Sequence, residues 1–469
     1  SMGAAKIPSS IIRETRCILK NVVETSQTED NLIDSIYSPE PAFELCAKHF
    51  NDYTEFSETL KCFFYKSEKY KTKMDALNRS SCKKDFCVSD KTLCKDLFGK
   101  SIRLSASKVE QFYKCKFSFF CKYALLAKER KTVKFDALGY GTLMHFILER
   151  IFSSFSYEDI LSFEKDELYS KVSAILNDYI NEALGGMSDK GPRFTYLLNR
   201  VKNSAMPLII HLASELQQSS FSPADFELEL SSRGKLPPLK LQLNDGTNVY
   251  IEGKIDRVDI LKKGDGTYVR ILDYKTGSRK FSLNEVLYGL NMQMLIYMAA
   301  ILQNGKKLYG EVVPAGILYM PAKSSIVNAN RDIPDQKLES MKLNQLKMNG
   351  LLLKDPEIIL DMEKDAKGAF LPATVKNGEF TATSSVVSLD ELSSILKYVK
   401  NMVSTMANDL KQGKISSVPL VSDTNTCDLC PYKSICLFED GDNFKEIKKV
   451  DKSKLMNSFS YKEVGEDIG

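Results

Sequence analysis

The sequence predicts an α/β fold, and three observations support this prediction. Two runs of β-branched and aromatic residues, at 250–260 and 268–276, flank a Gly-Asp-Gly turn, which is a strong signal for a β-hairpin. A further apolar run, GEVVPAGILYMP at 310–321, is typical of a buried strand in the same sheet. Apolar residues recur at helical spacing in the segments at 157–219 and 285–305.

Size and composition are those of an ordinary soluble protein with two or three domains. The chain has 469 residues, of which 43% are apolar and 27% charged, and its net charge is only +4. No apolar run reaches the roughly 20 residues that cross a membrane, and we find no signal peptide, so we expect a cytoplasmic protein. Eleven cysteines, an odd number in a long chain, favour free thiols or metal ligands over a disulfide framework.

Residues 1–100 are predicted to form a polar, helical region without a catalytic motif. Four cysteines in its Lys-rich second half are irregularly spaced, which favours free thiols over a metal site: Cys62, Cys82, Cys87 and Cys94. A helix is then predicted to begin at a capping box made by Ser107 and Glu110. Aromatic and basic residues are interleaved through residues 112–134. This composition suits a path for single-stranded nucleic acid, although we expect most of the aromatic residues to belong to the core.

The segment GYGTLMHFILERIF places Gly141, His145 and Glu149 on one stripe of a helix, since they recur at steps of four residues. A lone histidine is usually structural. Here the small Gly141 lets another backbone approach, which makes His145 a candidate metal ligand. A short strand then leads into the hairpin. It carries Glu227 and Glu229, for which we expect structural roles rather than metal binding.

The hairpin carries the candidate active site. When it is folded about the midpoint between Gly264 and Asp265, Asp256 falls opposite Asp273, and carboxylates paired in this way repel each other. A hard cation such as Mg²⁺ or Mn²⁺ would offset the repulsion. Lys275 lies two residues after Asp273 on the same face, where it can hold or activate a water. The alternative is a surface hairpin in which Lys275 only pairs with Asp273.

In the apolar helix predicted at 285–305, Gly289, Gln293 and Tyr297 again share one stripe. A buried glutamine must find hydrogen bonds, which either an active site or a neighbouring backbone supplies. Residues 330–370 are predicted to be a polar, helical insertion.

An amphipathic helix is predicted to begin near residue 389 and to end at Gly413, which is a good C-cap. The charged residues 441–469 are expected to form a loosely docked tail.

Three cysteines, Cys427, Cys430 and Cys436, form a C-x₂-C-x₅-C array. Thiolates this close together repel one another unless a cation binds them. No nearby histidine supplies a fourth ligand, and Cys115 and Cys121 are both candidates. Four thiolates suit either a [4Fe–4S] cluster or zinc, and the spacing does not separate the two.

Together these motifs resemble a known family. The segments SASKVEQFYKC, GTLMHFILE, EGKIDRVDI, LDYKTG, GLNMQMLIY and CDLCPYKSIC, in this order, resemble the RecB-like nucleases of the PD-(D/E)XK superfamily, and more closely the carboxy-terminal nuclease domains of the AddB type. The resemblance extends from about residue 103 to 438. It implies a mixed central sheet flanked by helices, with a helical amino-terminal region and helical insertions.

The resemblance also implies roles by position. The metal ligands would be His145, Asp256 and Asp273, binding Mg²⁺ or Mn²⁺. The catalytic lysine would be Lys275, and Gln293 and Tyr297 would support the site.

In the same way, the resemblance implies that Cys115, rather than Cys121, completes the ligand set of a [4Fe–4S] cluster. The other ligands would be Cys427, Cys430 and Cys436. Lys116 stands where the family usually has a proline, which weakens the expected turn but not the ligand.

The function that follows from the resemblance is a Mg²⁺-dependent DNA exonuclease module that degrades single strands during double-strand-break repair by recombination. Its partners would be DNA and an AddA-like helicase–nuclease subunit. Residues 1–100 would be the tail of a helicase-like domain, 101–440 the nuclease domain and 441–469 a tail. No Walker A sequence is present, so we expect no ATP hydrolysis. Two alternatives are a free-standing single-strand exonuclease of the CRISPR-adaptation type and a non-cleaving, metal-stapled DNA-binding scaffold.

Overall fold

The computed structural model describes residues 10–19, 36–52, 54–81, 86–127, 137–184, 186, 191–277, 280–322, 333–421, 426–436, 438 and 442–461. Cys82, residues 128–134 of the basic aromatic stretch, residues 330–332 of the expected insertion and residues 462–469 of the expected tail lie outside them. The chain divides into two compact units, Ser1–Lys84 and Asp85–Gly469. Among the described residues, no helix combines the length and apolarity needed to span a membrane.

The first unit is helical where it is described, as the sequence predicts. Its helices are α1 (Ser10–Ile18), α2 (Pro39–Lys48), α3 (Glu55–Tyr65) and α4 (Lys71–Ser81). Phe64 and Met74 are completely buried and form a small core with Tyr70 and Cys46. This core gives the unit its compactness.

The second unit is an α/β structure. Its helices are α5 (Lys91–Phe98), α6 (Ala106–Lys114), α7 (Lys116–Phe119), a π-helical turn (Phe120–Ala124), α8 (Ala137–Ser154), α9 (Tyr157–Ser162), α10 (Lys165–Leu184), α11 (Pro192–Gln218), α12 (Leu283–Val286), α13 (Gln293–Asn304), α14 (Lys306–Tyr309), α15 (Asp335–Gln345), α16 (Pro356–Met362), α17 (Leu389–Lys411), α18 (Lys433–Cys436) and α19 (Lys452–Tyr461). Its strands are β1 (Ile102–Ser105), β2 (Ser222–Leu230), β3 (Leu239–Gln242), β4 (Asn248–Lys263), β5 (Gly266–Lys275), β6 (Val312–Pro321), β7 (Asn349–Leu353), β8 (Val375–Lys376), β9 (Glu379–Phe380), β10 (Val386–Val387), β11 (Leu420–Val421) and β12 (Lys445–Glu446).

The central sheet is mixed, as expected. Its order is β1-β4-β5-β6-β7-β10, and β2 and β3 also pair with β4. The long strand β4 is antiparallel to β2, β3 and β5, whereas β1 runs parallel to it, and β6 runs parallel to β5. In the hairpin Arg257 pairs with Leu272 and Lys263 with Gly266, which confirms the predicted register. The same register continued by one residue sets Asp256 opposite Asp273.

Helices cover both faces of the sheet. On one face Val269 and Ile271 of β5 belong to a core that includes α6, α13 and α17. On the other face Leu272 and Tyr274 belong to a core that includes α8, α10, α11 and α16. The alternation of apolar side chains along β5 therefore assigns one set of helices to each face.

The segment at 330–370 is only partly the polar, helical insertion that the sequence predicts. Residues 335–345 are helical, but β7 joins the central sheet beside β6 and buries Leu351 and Leu352. A strand buried on both faces is a short, continuous apolar run, and this one escapes notice because its neighbours in sequence are polar.

Parts of the predicted tail and of the predicted helix starts are also wrong. Helix α19 is docked rather than loose: Leu455 and Phe459 are buried, and the Phe459 ring lies 5.2 Å from that of Tyr398. Helix α6 is capped by Ser105, whose side chain accepts a hydrogen bond from the Lys108 amide, and not by the predicted capping box two residues later. Ser105 takes this position because it ends β1 in an extended conformation.

The apolar helix predicted at 285–305 is interrupted. Gly289 has φ 81° and Asn291 has φ 55°, and α13 begins only at Gln293. Gly289 therefore does not share a helical stripe with Gln293. A side chain at position 289 would overlap the Tyr113 ring, so the turn has to be made by glycine.

Candidate active site and thiol cluster

Three side chains from three different elements meet at one edge of the sheet. They are His145 of α8, Glu227 of β2 and Asp256 of β4, and their ligand atoms all lie within 4.8 Å of one another. His145 Nδ1 lies 3.3 Å from Asp256 Oδ2 and 3.9 Å from Glu227 Oε1. An imidazole facing two carboxylates offers the nitrogen and oxygen donors that divalent metal ions use in proteins.

The backbone of Tyr274 orients two of these ligands. His145 Nε2 lies 2.8 Å from the Tyr274 carbonyl oxygen, and the Tyr274 amide donates a 2.7 Å hydrogen bond to Asp256 Oδ2. With Nε2 as the donor, Nδ1 directs its lone pair towards the carboxylates, which is how metal-binding histidines are usually held. Gly141, one turn earlier on α8, allows the predicted close approach: a Cβ there would lie 3.4 Å from Thr276 Oγ1.

Glu227 is the residue that the sequence analysis undervalued. In the β2–β4 register Phe226 pairs with Arg257 and Leu228 with Ile255, so Glu227 falls level with Asp256. Its φ of 50° is unusual for a non-glycine residue in a strand, and such strain concentrates at functional sites. The only signal in the sequence is its place on the strand before the hairpin, and it becomes informative once the pairing of β2 with β4 is known.

Asp273 lies beside this three-ligand group, in a second set of contacts. Lys275 Nζ is 2.6 Å from Asp273 Oδ2, Gln293 Nε2 donates to Asp273 Oδ1 at 2.9 Å, and Gln293 Oε1 accepts from Lys275 Nζ at 3.1 Å. Gln293 thus holds both the carboxylate and the ammonium group, and these contacts satisfy the hydrogen bonds that a buried glutamine needs. The Lys275 side chain remains 39% exposed, so it faces solvent from this site.

Tyr297 lies one turn further along α13, against β4. A Cβ on Gly253 would come within 2.6 Å of the Tyr297 hydroxyl oxygen, so the ring fits where glycine leaves room. Burial raises the pKa of Tyr297 to about 12, and the group therefore stays protonated. Its place in the structure is beneath the strand that carries Asp256.

The electrostatics of the site favour a bound cation. Burial raises the pKa of Asp273 to about 6, and the charge of Asp256 contributes to the same shift, while Lys275 acts against both. Burial lowers the pKa of His145, but hydrogen bonds to Asp256 and Glu227 outweigh this and raise it to about 10. Both shifts reflect an excess of buried negative charge, which a divalent ion would neutralise.

Five cysteines converge at a second place. Cys115, Cys427, Cys430 and Cys436 line one cavity of about 780 Å³. Cys121 is buried beside it, in the small core that Phe117 and Tyr432 form with three of those thiols. Burial, and to a lesser extent the neighbouring Cys430, raise the pKa of the Cys115 and Cys121 thiols. Both candidates for the fourth ligand are thus near the array.

Cys115 has one feature that Cys121 lacks. It caps the short helix α7, and its sulfur accepts a hydrogen bond from the Ser118 amide at 3.5 Å. Amides at a helix N-terminus stabilise a thiolate. Across the described part of the chain, no three cysteine sulfurs lie within 4.8 Å of one another, whereas tetrahedral zinc with bonds of about 2.3 Å needs sulfurs at about 3.8 Å.

Comparison with known proteins identifies the family. The sequence profile of the PD-(D/E)XK nuclease superfamily matches residues 103–437, which include the hairpin, α8, α13 and all four cysteines that line the cavity. The chain belongs to the PD-(D/E)XK nuclease superfamily. The mixed sheet and its flanking helices are the fold that this membership implies.

Several curated relatives of this nuclease-superfamily chain share one name, which describes the B-type subunit of an ATP-dependent helicase/deoxyribonuclease. The relative from Thermoanaerobacter sp. (strain X514) is 31% identical over 490 residues, which cover 99% of this chain and 42% of the relative. The one from Clostridioides difficile (strain 630) is 32% identical over 375 residues, covering 78% of this chain and 32% of the relative. The chain therefore spans about two fifths or less of the length of these relatives.

Behind the nuclease-superfamily site lies an ion network that the sequence analysis did not predict. Arg257 donates to both oxygens of Asp259 at 2.6 Å and to Glu215 at 3.2 Å, and Arg270 donates to the same two carboxylates at 2.9 and 2.6 Å. All four side chains are fully buried. The network joins α11 to the two hairpin strands that carry Asp256 and Asp273.

The excess negative charge leads to a prediction about stability. Because the pKa of Asp273 is raised above its ordinary 3.8, its ionised form opposes folding, an effect that is absent below about pH 4 and fully present above about pH 6. We expect Asp273→Asn, in EDTA, to stabilise the protein at pH 8 by up to about 3 kcal/mol and to have little effect at pH 4. Urea unfolding at the two pH values measures the difference. Asp265→Asn in the exposed turn is the control, and an equal effect of Asp273→Asn at both pH values would contradict the prediction.

Proposed function

We propose that this chain is the DNA-degrading module of an AddB-type helicase–nuclease subunit. It would be a Mg²⁺-dependent exonuclease that degrades single strands from duplex ends during double-strand-break repair by recombination. The observation that supports this most strongly is the three-ligand group of His145, Glu227 and Asp256 beside the Asp273–Lys275–Gln293 contacts. The names of the relatives, which describe one subunit of an ATP-dependent helicase/deoxyribonuclease, support the AddA-like partner.

In this proposal His145, Asp256 and Asp273 hold Mg²⁺ or Mn²⁺, and Glu227 adds a further carboxylate. A bound divalent ion would polarise the scissile phosphate and lower the pKa of a water. The residues fit such an ion because the imidazole is oriented by the Tyr274 backbone and because the carboxylates lack compensating positive charge. Asp273 sits between the ligand group and Lys275, so one side chain links the two parts of the site.

Lys275 is the candidate for activating the attacking water or stabilising charge on the phosphate. Its ammonium group is fixed by Gln293 and Asp273 and is partly exposed, so one of its three protons can point to a substrate oxygen. Tyr297 supports this arrangement by packing against Gly253 of β4. The domain assignment at 1–100, 101–440 and 441–469 remains a prediction.

The experiment that tests this function is a degradation assay with single-stranded DNA labelled at either end. We expect Mg²⁺-dependent release of short products, abolished by EDTA and increased when an AddA-like subunit feeds a duplex end into the reaction. Full activity without the partner would favour the free-standing exonuclease. Tight DNA binding without degradation, with Mg²⁺ and the partner both present, would favour the scaffold and refute the proposal.

We propose that the thiol cavity holds a [4Fe–4S] cluster with Cys115, Cys427, Cys430 and Cys436 as ligands. The wide separation of the sulfurs and the size of the cavity support a cluster over a single zinc ion. The cluster would join the end of α6 to the C-terminal part of the same unit. Closing a loop of roughly 300 residues in this way restricts the unfolded chain and stabilises the fold.

The cluster leads to a second prediction, in which Cys121 is the matched buried control. We expect anaerobically purified protein to contain iron and sulfide in a ratio near one. Cys115→Ser and Cys430→Ser should lose the iron and the visible absorption, and Cys121→Ser should keep both. Zinc without iron in the wild-type protein would refute the cluster. Loss of iron in Cys121→Ser with retention in Cys115→Ser would make Cys121 the first ligand.

A further inference from the structure

The position of Gln293 depends on a turn that is conformationally unfavourable. Gln293 is the first residue of α13, and it holds both Asp273 and Lys275. The turn before it contains Gly289 at φ 81° and Asn291 at φ 55°, and the second of these is a costly conformation for a residue with a side chain. A turn of this kind persists only when contacts elsewhere hold it in place.

One of those contacts comes from a distant helix. Glu110 Oε1, on α6, accepts a 3.2 Å hydrogen bond from the Met292 amide, across 182 residues of sequence. Met292 is the N-cap residue of α13 and caps the helix with no side chain of its own. The carboxylate of Glu110 therefore takes the place of a local cap, and its negative charge also suits the positive end of the helix.

Helix α6 is itself firmly held, so it can act as a fixed support. Ser105 caps its start, and the Tyr113 hydroxyl donates a 2.6 Å hydrogen bond to the Met402 carbonyl of α17. The Tyr113 ring occupies the space that a side chain at Gly289 would need, so α6 contacts the turn at two points. Cys115 follows directly after the last residue of α6.

We propose that Glu110 is a positioning residue for the nuclease reaction. By holding the Met292 amide it sets where α13 begins, and so where Gln293 places the Lys275 ammonium beside Asp273. This inference rests on the proposed function, since it assigns Lys275 to the reaction. Glu110 does not itself touch the reacting groups, and its effect on the reaction passes through Gln293.

The test compares two substitutions that differ in whether an acceptor oxygen remains. Glu110→Gln keeps an oxygen for the Met292 amide, and Glu110→Ala removes it. We expect Glu110→Ala to lower kcat for single-stranded DNA by about tenfold or more with little change in KM, and Glu110→Gln to stay within about threefold of the wild-type protein. Hydrogen exchange should accelerate at residues 290–295 in Glu110→Ala only. Ser107→Ala, an exposed position on the same helix, is the control for both measurements.

Three outcomes would overturn the proposal: unchanged kcat in Glu110→Ala despite faster exchange, equal losses in both variants, or no change in exchange. Should Glu110→Ala fail to fold, Glu110→Asp replaces it, because its carboxylate is one methylene shorter and falls short of the Met292 amide. A wild-type protein without nuclease activity would instead contradict the proposed function. The exchange measurement would then still decide whether Glu110 holds the start of α13.

Discussion

Asp256→Asn is expected to lower the rate of Mg²⁺-dependent DNA cleavage by about 10³-fold while leaving the fold intact. Asparagine keeps an oxygen that accepts the 2.7 Å hydrogen bond from the Tyr274 amide, so the hairpin geometry is retained. It removes one negative charge from the group around His145, and a neutral amide is a poorer Mg²⁺ ligand than a carboxylate.

Single-turnover degradation of end-labelled single-stranded DNA measures this effect, and Mn²⁺ binding to the isolated protein measures its cause. We expect both to be reduced, with DNA binding in EDTA unchanged. Asp265→Asn, in the exposed turn of the same hairpin, removes an equal charge far from the site and should behave as wild type. Undiminished cleavage by a clean preparation of Asp256→Asn would refute the assignment of the site.

Arg257→Met is expected to lower the free energy of unfolding by about 3–5 kcal/mol, the largest stability effect we predict. Arg257 is fully buried and donates to Asp259 and Glu215, so removing its charge leaves two buried carboxylates that share only Arg270. Methionine fills much of the same volume, which separates the loss of charge from the loss of packing.

Urea denaturation at neutral pH measures the loss of stability. Lys262→Met is the matched control, because Lys262 lies exposed on the same strand and surface substitutions usually change stability by less than about 0.5 kcal/mol. An Arg257→Met protein as stable as the control would mean that the network is replaceable by apolar packing, as some buried ion pairs are.

Much of the site follows from short stretches of sequence. The hairpin register that sets Asp256 opposite Asp273 follows from the Gly-Asp-Gly turn, since a turn and its flanking strands are adjacent in the chain. The close approach at Gly141 and the need of Gln293 for hydrogen bonds follow in the same way from residue type and helical spacing. Family resemblance added which of these residues belong to one site, and the superfamily match bears out that family.

Other features depend on pairs of elements that are far apart in sequence. Glu227 joins the candidate metal ligands only because β2 pairs with β4 in one particular register. The partner of Glu110 is the start of α13 and not its own helix, and Arg257 finds Glu215 on α11. Strand β7 and helix α19 were misjudged because their burial comes from neighbours that the local pattern does not reveal.

The sequence alone determined the α/β class, the hairpin, the candidate residues and the cysteine array. Periodicity and turn chemistry act between residues within about ten positions of each other, so they can be read along the chain. The tertiary structure decided which carboxylate stands beside His145, what holds Gln293 in place and which charges lie buried behind the site. These depend on long-range packing, where a single register or contact selects among partners that are equivalent in the sequence.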